Sequence, residues 1–296
     1  MSIFVDKDTK VLVQGITGRE ASEKVPEMLE YGTEVLAGVT PGKGGKEVAG
    51  VPVYDSVAQA MDENPGINTS LIYVPPFAAK DAAFEAIEND IELLNIITER
   101  IPVKDTWKIL RKAEKNNVTV VGPTSVGIMT PEECKLGPIG GNQPGKAYDK
   151  GKVGIISKSG GMTTETAWTI KQAGYGVSTA VAIGGDILAG TTFADALKEF
   201  EEDEETEVVV MYGELGGTYE QEAAELIENG NFTKPLVAFI AGEFTENLPS
   251  RNYGHAGAII RGDSGKPSVK KKKLRDAGAY VVDKHHEIQG KLGDLL

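Results

Sequence analysis

Short apolar segments alternate with helix-length segments along almost the whole chain, and most of the apolar segments are followed by glycine or proline. The apolar segments of the first half span residues 10–14, 33–39, 70–74, 93–97 and 118–121. Those of the second half span residues 153–156, 177–183, 208–212, 236–241 and 280–282. They are not alternately polar, as is expected of strands that helices cover on both faces. The pattern therefore predicts an α/β fold with parallel sheets.

A chain of 296 residues is long enough to bury two cores of ordinary size. The alternation is interrupted at residues 134–150, which are rich in glycine and proline and carry no apolar periodicity. Such a composition is typical of an inter-domain connection. We therefore predict a first domain at residues 1–133, a connection at 134–150 and a second domain at 151–296.

Charge and cysteine usage exclude several classes of protein. The formal net charge of −13 argues against broad binding to nucleic acid or to membrane surfaces. No apolar run is long enough to span a membrane, and the N-terminus carries no basic signal region. The single cysteine, Cys134, predicts a chain without an internal disulfide in a reducing cytoplasm. The run Lys270–Lys273 lies in a predicted helix, and we expect it on a solvated face rather than in a phosphate patch. We predict no metal site on this chain.

Because ligands bind at the carboxyl edge of open parallel sheets, each predicted domain should present one functional edge. The first edge consists of Gly15–Glu20, Thr40–Gly45, Val74–Pro76 and Thr98–Arg100. The second edge consists of Ser157–Gly161, Gly184–Asp186, Gly213–Gly217 and the segment around His255.

Two of these turns suit an anion. Gly15–Gly18 joins a strand to a helix, and a nucleotide-like phosphate ligand is favoured there over a purely structural turn. NAD is not favoured, because the glycine fingerprint is incomplete. Lys43 lies among glycines and could reach a phosphate, although alone it is more simply an exposed loop lysine. Ser157–Gly161 opens another helix and predicts an anion site, the alternative being an ordinary serine N-cap.

His255 lies between Gly254 and Gly257, just before an apolar run. Its imidazole titrates near neutrality, so a neutral and nucleophilic form is available. A histidine in a tight turn before a buried strand is an alternative of equal weight. Glu214 lies at another strand end, where its carboxylate could orient His255 and stabilise the imidazolium; the alternative is a solvent-facing loop glutamate.

Five motifs together resemble the α subunit of the succinyl-CoA synthetase family, which contains nucleoside-diphosphate-forming acyl-CoA ligases. Their order and spacing match over essentially the whole chain, and they are Gln14–Gly18, Gly38–Gly45, Ile97–Glu99, Gly213–Gly217 and Gly254–Ala258. The resemblance implies an N-terminal Rossmann-type CoA-binding domain and a C-terminal flavodoxin-like domain that carries a phosphohistidine. The residues on its CoA-contacting positions are Thr17, Gly18, Arg19, Glu20, Lys43, Ile97, Thr98 and Glu99.

In this family a histidine is phosphorylated during turnover and a glutamate holds it, and His255 and Glu214 fall on these positions. The residues on its phosphate-binding turn are Ser157, Ser159, Gly160 and Gly161, and those on its substrate-contact positions are Gly160, Gly161 and Thr164. The resemblance implies CoA as cofactor and a small carboxylate as substrate. It also implies a β-type ATP-grasp partner that binds ATP or GTP with Mg, in an αβ or α2β2 assembly.

Several departures from the succinate pattern resemble ATP-citrate lyase and its two-subunit relative, citryl-CoA synthetase. Gly161 and Thr164 replace larger residues of the usual turn, which leaves room for the third carboxylate of citrate. Citrate is therefore slightly favoured over succinate. Ala21 and Ser22 replace a glycine-rich helix start, and the loop Glu243–Tyr253 is longer than in the succinate enzymes.

Two other classes remain as alternatives. A non-catalytic CoA- or nucleotide-sensing module would have no need for His255 and Glu214. An NAD-dependent oxidoreductase is disfavoured by the incomplete fingerprint at Gly15–Gly18.

Overall fold

The computed structural model describes residues 2–248, 254–260 and 262–296. The elements of the first half are β1 (Lys10–Gln14), α1 (Arg19–Tyr31), β2 (Glu34–Val39), β3 (Glu47–Val48), β4 (Val51–Tyr54), α2 (Val57–Glu63), β5 (Thr69–Ile72), α3 (Ala79–Glu88), β6 (Leu93–Ile96), α4 (Val103–Lys115) and β7 (Thr119–Val121). Those of the second half are β8 (Gly127–Thr130), β9 (Cys134–Leu136), β10 (Lys150–Ser157), α5 (Gly160–Gln172), β11 (Val177–Ala182), α6 (Phe193–Glu202), β12 (Val208–Gly213), α7 (Tyr219–Glu228), β13 (Leu236–Ile240), α8 (Pro267–Asp276), β14 (Tyr280–Val282) and α9 (Glu287–Leu295). Short 3-10 helices lie at Pro144–Lys146, Glu243–Asn247 and Asp263–Gly265. Residues 249–253 of the long loop predicted before His255 lie outside the described residues.

The first sheet has the strand order β3-β4-β2-β1-β5-β6-β7. All neighbours are parallel except the short antiparallel pair of β3 and β4. Apart from β3, strands that come later in the chain lie further from β1 on each side. The direction in which strands are added to the sheet therefore reverses between β1 and β5. This is the strand order of Rossmann sheets, and it confirms the predicted fold of the first half.

The second sheet has the strand order β14-β13-β12-β10-β11-β8-β9. Strands β10 to β14 pair in parallel, and their order reverses between β10 and β12. Read from β11 to β14, this is the order of flavodoxin-like sheets, as predicted. The reversal matters for function, because ligands bind where the strand order changes direction.

Two strands of the second sheet come from residues that the sequence analysis divides between the first domain and the connection. β8 pairs antiparallel with β11, and β9 pairs antiparallel with β8. Residues 127–136 therefore belong to the second sheet, and sheet membership does not follow the predicted boundaries 1–133 and 134–150. Both strands are short, and they join the second sheet through the pairing of β8 with β11, which comes much later in the chain, so local sequence patterns could not reveal their place in that sheet.

The strands are buried on both faces, as their continuous apolar runs predicted. In β1, Val11, Leu12 and Val13 are all fully buried. Val11 and Val13 belong to one apolar cluster, and Leu12 belongs to the cluster on the opposite face. The first cluster also contains Cys134 and Leu136 of β9, so it continues from the first sheet into the second.

Polar contacts join α1 and the turn that follows it to β9, beside this shared core. The hydroxyl of Thr33 donates to the carbonyl of Lys135 at 2.9 Å and accepts from its backbone N–H at 3.0 Å. The side chain of Lys135 is fully buried, and its ammonium donates to Glu27 at 3.1 Å and to the carbonyl of Gly141 at 2.7 Å. A lysine in a buried strand therefore joins the first helix to the second sheet.

We expect Lys135→Met to lower the free energy of unfolding by about 1–3 kcal/mol, because it removes a fully buried ammonium partner from the Glu27 carboxylate, which is only 17% exposed. Lys24→Met is the matched control, since Lys24 bonds the same Glu27 at 2.7 Å from a partly exposed position. Its loss should cost less than about 1 kcal/mol. Urea unfolding of both variants measures the difference, and equal losses would contradict this role of Lys135.

The run Lys270–Lys273 lies in α8 as predicted, but the prediction that it forms a solvated face is wrong for its first half. Lys270 and Lys271 are buried, whereas Lys272 is exposed. The physical reason is that carboxylates from other elements surround the two buried ammonium groups, and helix periodicity alone does not reveal such partners.

Candidate functional site

The candidate site lies at the carboxyl edge of the second sheet, where the strand order reverses. β10 lies between β12 and β11, and Ser157 at its end is in register with Tyr212 on one side and Ala182 on the other. The turn Ser157–Gly161 is therefore flanked by the loops Gly213–Gly217 and Gly184–Asp186. These are three of the segments that the sequence predicted for the second functional edge.

His255 lies at this edge and contacts Glu214. Its Nδ1 lies 2.9 Å from Oε2 and 3.1 Å from Oε1 of that carboxylate. The side chain of His255 is 32% exposed, whereas that of Glu214 is 10% exposed. Glu214 accepts a hydrogen bond from Nδ1–H in this arrangement, which fixes the tautomer that has its lone pair on Nε2. The structure thus brings together the two residues predicted as catalytic, and Glu214 is not a solvent-facing loop glutamate.

The backbone of the His255 segment is bonded to the loop after β11. The N–H of Gly257 donates to the carbonyl of Gly185 at 3.0 Å, and the N–H of Ala258 donates to the carbonyl of His255 at 3.0 Å. A Cβ atom on Gly185 would lie 2.3 Å from Cγ of His255. The imidazole is therefore confined between the Glu214 carboxylate and a backbone stretch that has no room for a side chain.

The environment raises the pKa of His255 above its ordinary value of 6.5. The hydrogen bond to Glu214 is the main cause, and partial burial opposes it. The negative charges of Glu214 and Glu99 act in the same direction, while the positive charge of Lys158 acts against them. Glu99 follows β6 in the first half of the chain, so a charge of the first half acts on the pKa of a histidine at the second edge.

A cavity of about 410 Å³ adjoins Glu214 on the side of the segment that follows His255. Lys158 contributes a cationic wall, and Asp186 contributes an anionic one. The remaining wall comes mostly from the backbones and small side chains of the loops 216–219, 256–259 and 264–265. The site therefore has free volume beside the charged side chains of Lys158, Asp186 and Glu214.

The turn Ser157–Gly161 leads into the N-terminus of α5. Ser157 Oγ accepts from the N–H of Ser159 at 3.0 Å and donates to its carbonyl at 2.9 Å. Ser159 is the N-cap residue but makes no side-chain capping bond. A Cβ atom on Gly160 would lie 2.2 Å from Val126, whereas one on Gly161 would meet open space. Gly160 is thus required by packing, and Gly161 leaves the first helical turn uncovered.

Thr164 lies one turn into α5 and has a partner that the sequence did not predict. Its Oγ1 lies 3.2 Å from the phenolic oxygen of Tyr148, which is almost fully buried. Burial raises the pKa of Tyr148, so its hydroxyl stays protonated. Tyr148 belongs to the stretch predicted as a connection, so that stretch reaches the helix that carries the predicted substrate contacts.

The residues predicted to contact CoA lie at the carboxyl edge of the first sheet. Thr17 Oγ1 donates to Thr40 Oγ1 at 3.2 Å, which ties the turn after β1 to the turn after β2. Thr98 Oγ1 donates to the carbonyl of Val74 at 2.7 Å. The remaining members of the set lie in these loops or in the first turn of α1, and they are Gly18, Arg19, Glu20, Lys43, Ile97 and Glu99. Arg19 and Lys43 are exposed, as a role in binding a large ligand requires.

A chain of hydrogen bonds joins the two functional edges. Asn95 in β6 donates to Ser125 Oγ at 3.0 Å, and Ser125 donates to the carbonyl of Ala182 at 2.6 Å. Thr124 Oγ1 bonds Asp186 at 3.1 Å. The segment after β7 thus links the first-domain edge to the loop that confines His255.

Lys158, Glu220 and Lys270 are buried near Glu214 and were not predicted as site residues. Lys158 lies within a predicted motif, but Glu220 and Lys270 lie in helices whose sequences resemble ordinary charged surfaces. Only their contacts in the folded chain identify them, since helix periodicity does not separate a buried ion pair from a solvated one.

Metal-ligating clusters and membrane-spanning helices are both absent from the described residues. No group of three or more metal-ligating side chains is arranged to hold a metal ion among residues 2–248, 254–260 and 262–296. Over the same ranges, none of the helices is long and apolar enough to cross a membrane.

Comparisons with known proteins agree with this architecture. Residues 6–100 match the CoA binding domain family, and residues 156–282 match the CoA-ligase family. The two matches define a CoA ligase subunit built from a CoA-binding half and a ligase half. The α subunit of the ADP-forming succinate–CoA ligase of Staphylococcus epidermidis is 48% identical over 289 residues, which cover 97% of this chain and 93% of the relative. The corresponding subunit of Aquifex aeolicus is 48% identical, with coverage of 100% and 95%. The chain belongs to the family of succinate–CoA ligase α subunits.

Solved structures give the same picture. ATP citrate lyase from Methanosaeta concilii, in complex with citryl-CoA, has a TM-score of 0.91 and 28% identity. The match covers 99% of this chain but 51% of that one, so the chain spans about half the length of the lyase. A protein from Pyrococcus horikoshii has a TM-score of 0.72 at 20% identity and shares the fold.

We expect Gly185→Ala to lower the pKa of His255, because the added Cβ would displace the imidazole from Glu214 and weaken the bond that raises the pKa. An NMR titration of the histidine ring signals measures this shift. Gly290→Ala is the control, since a Cβ there meets open space in α9. An unchanged His255 titration in folded Gly185→Ala would show that the ring is not confined as described.

Proposed function

We propose that this chain is the α-type subunit of a nucleoside-diphosphate-forming carboxylate–CoA ligase, and that His255 carries a phosphoryl group during turnover. The observation that carries the proposal is the 2.9 Å contact between Nδ1 of His255 and the buried carboxylate of Glu214. A nucleophilic histidine needs its second nitrogen held by an acceptor, so that Nε2 presents a lone pair to phosphorus.

The proposed reaction has three steps. The Nε2 lone pair of His255 attacks the terminal phosphorus of the nucleoside triphosphate, and the diphosphate leaves. A carboxylate oxygen of the acid then attacks the phosphohistidine, which forms an acyl phosphate and restores the imidazole. Finally the thiol of CoA attacks the acyl carbon, its proton is lost, and inorganic phosphate leaves. The first two steps convert a carboxylate oxygen, which is a poor leaving group, into phosphate, which the thiol can displace in the third step.

Ser157, Ser159, Gly160 and Gly161 are the proposed phosphate-binding residues. They form the turn into α5, whose N-terminal N–H groups and dipole favour an anion. The turn is flanked by the loops that carry Glu214 and Gly185, both of which contact His255. This neighbourhood supports a phosphoryl group on His255 that the helix N-terminus stabilises.

The first domain is proposed to bind CoA through the loops after β1, β2 and β6. The family match over residues 6–100 supports CoA as the ligand. The residues proposed for this role are Thr17, Gly18, Arg19, Glu20, Lys43, Ile97, Thr98 and Glu99. The charge of Glu99 acts on the pKa of His255, which supports a path by which a thiol bound at the first edge meets an acyl phosphate formed at the second.

A β-type ATP-grasp subunit is the proposed partner, and it would bind ATP or GTP with Mg. The relatives at 48% identity are named as α subunits, which supports a second kind of subunit. The ATP citrate lyase chain is about twice as long as this chain, which supports a further part to the enzyme. We propose an αβ or α2β2 assembly.

Succinate and citrate are the two candidate acids. The relatives at 48% identity are named for succinate, which is therefore the first candidate. Citrate stays a prediction, supported by the open space at Gly161 and by the small residue at Thr164. The contact of Thr164 with Tyr148 weakens the support for citrate, because the phenol occupies part of the volume that the small side chain leaves.

The direct test mixes the chain with its ATP-grasp partner and radiolabelled ATP. We expect label on the chain that acid removes and base does not, and we expect none on His255→Asn. Wild-type chain without label under conditions where the partner binds would reduce the protein to a CoA-binding module.

The rate of His255 phosphorylation should rise with pH through the raised pKa of His255, because only the neutral imidazole attacks phosphorus. Glu214→Gln replaces the carboxylate by a neutral amide, which stabilises the imidazolium less, so the inflection should move to lower pH while the plateau rate falls. Labelling rates measured across pH test both effects. A profile that Glu214→Gln leaves unchanged would remove Glu214 from the mechanism.

Thr164→Tyr tests the choice of acid. The larger ring should narrow the space beside Tyr148 and shift preference from citrate towards succinate. The measurement is the ratio of kcat/KM for the two acids with CoA, ATP and the partner. Tyr148→Phe is the control, since it keeps the ring and removes only the hydroxyl; if Thr164→Tyr leaves the ratio unchanged, Thr164 does not select the acid.

A further inference from the structure

We propose that Lys270 and Glu220 are positioning residues that fix the backbone of Glu214, and through it the imidazole of His255. Both side chains bond the backbone of Glu214, and neither is a predicted contact for substrate or cofactor. The consequence for catalysis rests on the proposed phosphohistidine function, whereas the positioning itself can be measured without it.

Lys270 uses its ammonium group to hold the loop that follows β12. Its Nζ donates to the carbonyl of Glu214 at 2.8 Å, and it also donates to the carbonyl of Gly216 and to Glu220. An ammonium group has three donors, and these three acceptors account for all of them. Two of the acceptors belong to the short loop whose shape decides the direction of the Glu214 side chain.

Glu220 holds the same loop through the backbone N–H of Glu214. Its Oε1 accepts from the backbone N–H of Glu214 at 3.1 Å and from Nζ of Lys158 at 2.8 Å. The N–H and the carbonyl of Glu214 are therefore both bound by buried charged side chains, one from α7 and one from α8.

The same cluster reaches the phosphate-binding turn. Lys158 follows Ser157 at the end of β10, and its ammonium lies 5.3 Å from the ring centre of Tyr219 and 5.5 Å from that of Phe193. Glu220 thus connects the turn that leads into α5 with the loop that carries Glu214. A displacement of Glu220 would move both sides of the proposed phosphoryl site together.

The burial of this cluster argues against a role in stability alone. Glu220 and the side chain of Lys270 are 0% exposed. Burial by itself would raise the pKa of Glu220, but the two lysines lower it; burial also lowers the pKa of Lys270. Buried ion pairs contribute less to stability than apolar residues of similar volume, because desolvation offsets their attraction. Fixed geometry at Glu214 gives this cluster a function that an apolar core would not supply.

Lys271 provides an internal comparison. It is adjacent to Lys270 in the same helix, and its side chain is only 5% exposed. Its ammonium bonds the carboxylates of Glu243 and Asp283, which are exposed. Two neighbouring buried lysines therefore differ in one relevant respect, since only Lys270 bonds the backbone of Glu214.

The test compares Lys270→Met with Lys271→Met in the full-length chain. The first measurement is the pKa of His255 by NMR titration, with its signals assigned by their loss in His255→Asn. Lys158, Glu99 and Glu214 are the charged groups that act on this ring in both variants. We expect Lys270→Met to lower the pKa of His255, since the bond to Glu214 is weakened, and Lys271→Met to leave it unchanged. Thermal unfolding of both variants gives the loss of stability for comparison.

The second measurement is the rate of phosphorylation by the ATP-grasp partner and ATP. Misplacement of a catalytic group by about 1 Å can slow a reaction by roughly 100-fold, so we expect Lys270→Met to slow labelling by about 10- to 100-fold. An unchanged His255 pKa in folded Lys270→Met, or an equal fall in Lys271→Met, would overturn the proposal.

Glu220→Gln replaces Lys270→Met if the latter does not fold. It keeps the shape of the side chain and should also lower the pKa of His255, because an amide cannot hold two ammonium groups. An unchanged pKa in Glu220→Gln overturns the proposal equally. Wild-type chain that is never phosphorylated would contradict the proposed function, and the pKa comparison would then decide the positioning role alone.

Discussion

The hydrogen bond between Nδ1 of His255 and Glu214 is the interaction on which the functional account depends. It requires a largely buried carboxylate at the end of a strand whose neighbours also end in open loops. The flavodoxin-like strand order supplies that position, because the loops after β10, β11 and β12 meet where the order reverses. The backbone of Gly185 closes the other side of the ring.

The two halves of the chain are joined by hydrogen bonds close to their functional edges and by a shared core. Lys135 bonds α1 to β9, Thr33 bonds the turn after α1 to β9, and Ser125 bonds β6 to β11. The apolar core also continues from one sheet to the other. Charge near His255 therefore comes from both halves, with Glu99 on one side and Lys158 on the other. A ligand that extends from the first edge can approach a group held at the second.

The sequence predicted the parts of the fold that local patterns encode. The alternation of apolar and helical segments gave both parallel sheets, and the glycine-rich turns marked the edges where the strands end. It missed β8 and β9, since both strands are short and their place in the second sheet depends on the pairing of β8 with the distant β11. It also assigned Lys270 to solvent, because a helix of lysines and a helix that buries one lysine against Glu220 have nearly the same pattern. Glu214 and His255 were found through flanking glycines and family motifs, whereas the contacts that hold them required the folded chain.

The most direct test of the central claim asks which nitrogen of His255 carries the phosphoryl group. The chain, labelled with ¹⁵N in its histidines, is phosphorylated by the partner and ATP, and phosphorus–nitrogen couplings are measured by NMR. The account predicts that phosphorus is bonded to Nε2 and that Nδ1 keeps its proton towards Glu214. Phosphorus on Nδ1 would contradict it, since that nitrogen lies 2.9 Å from the carboxylate in the structure described here.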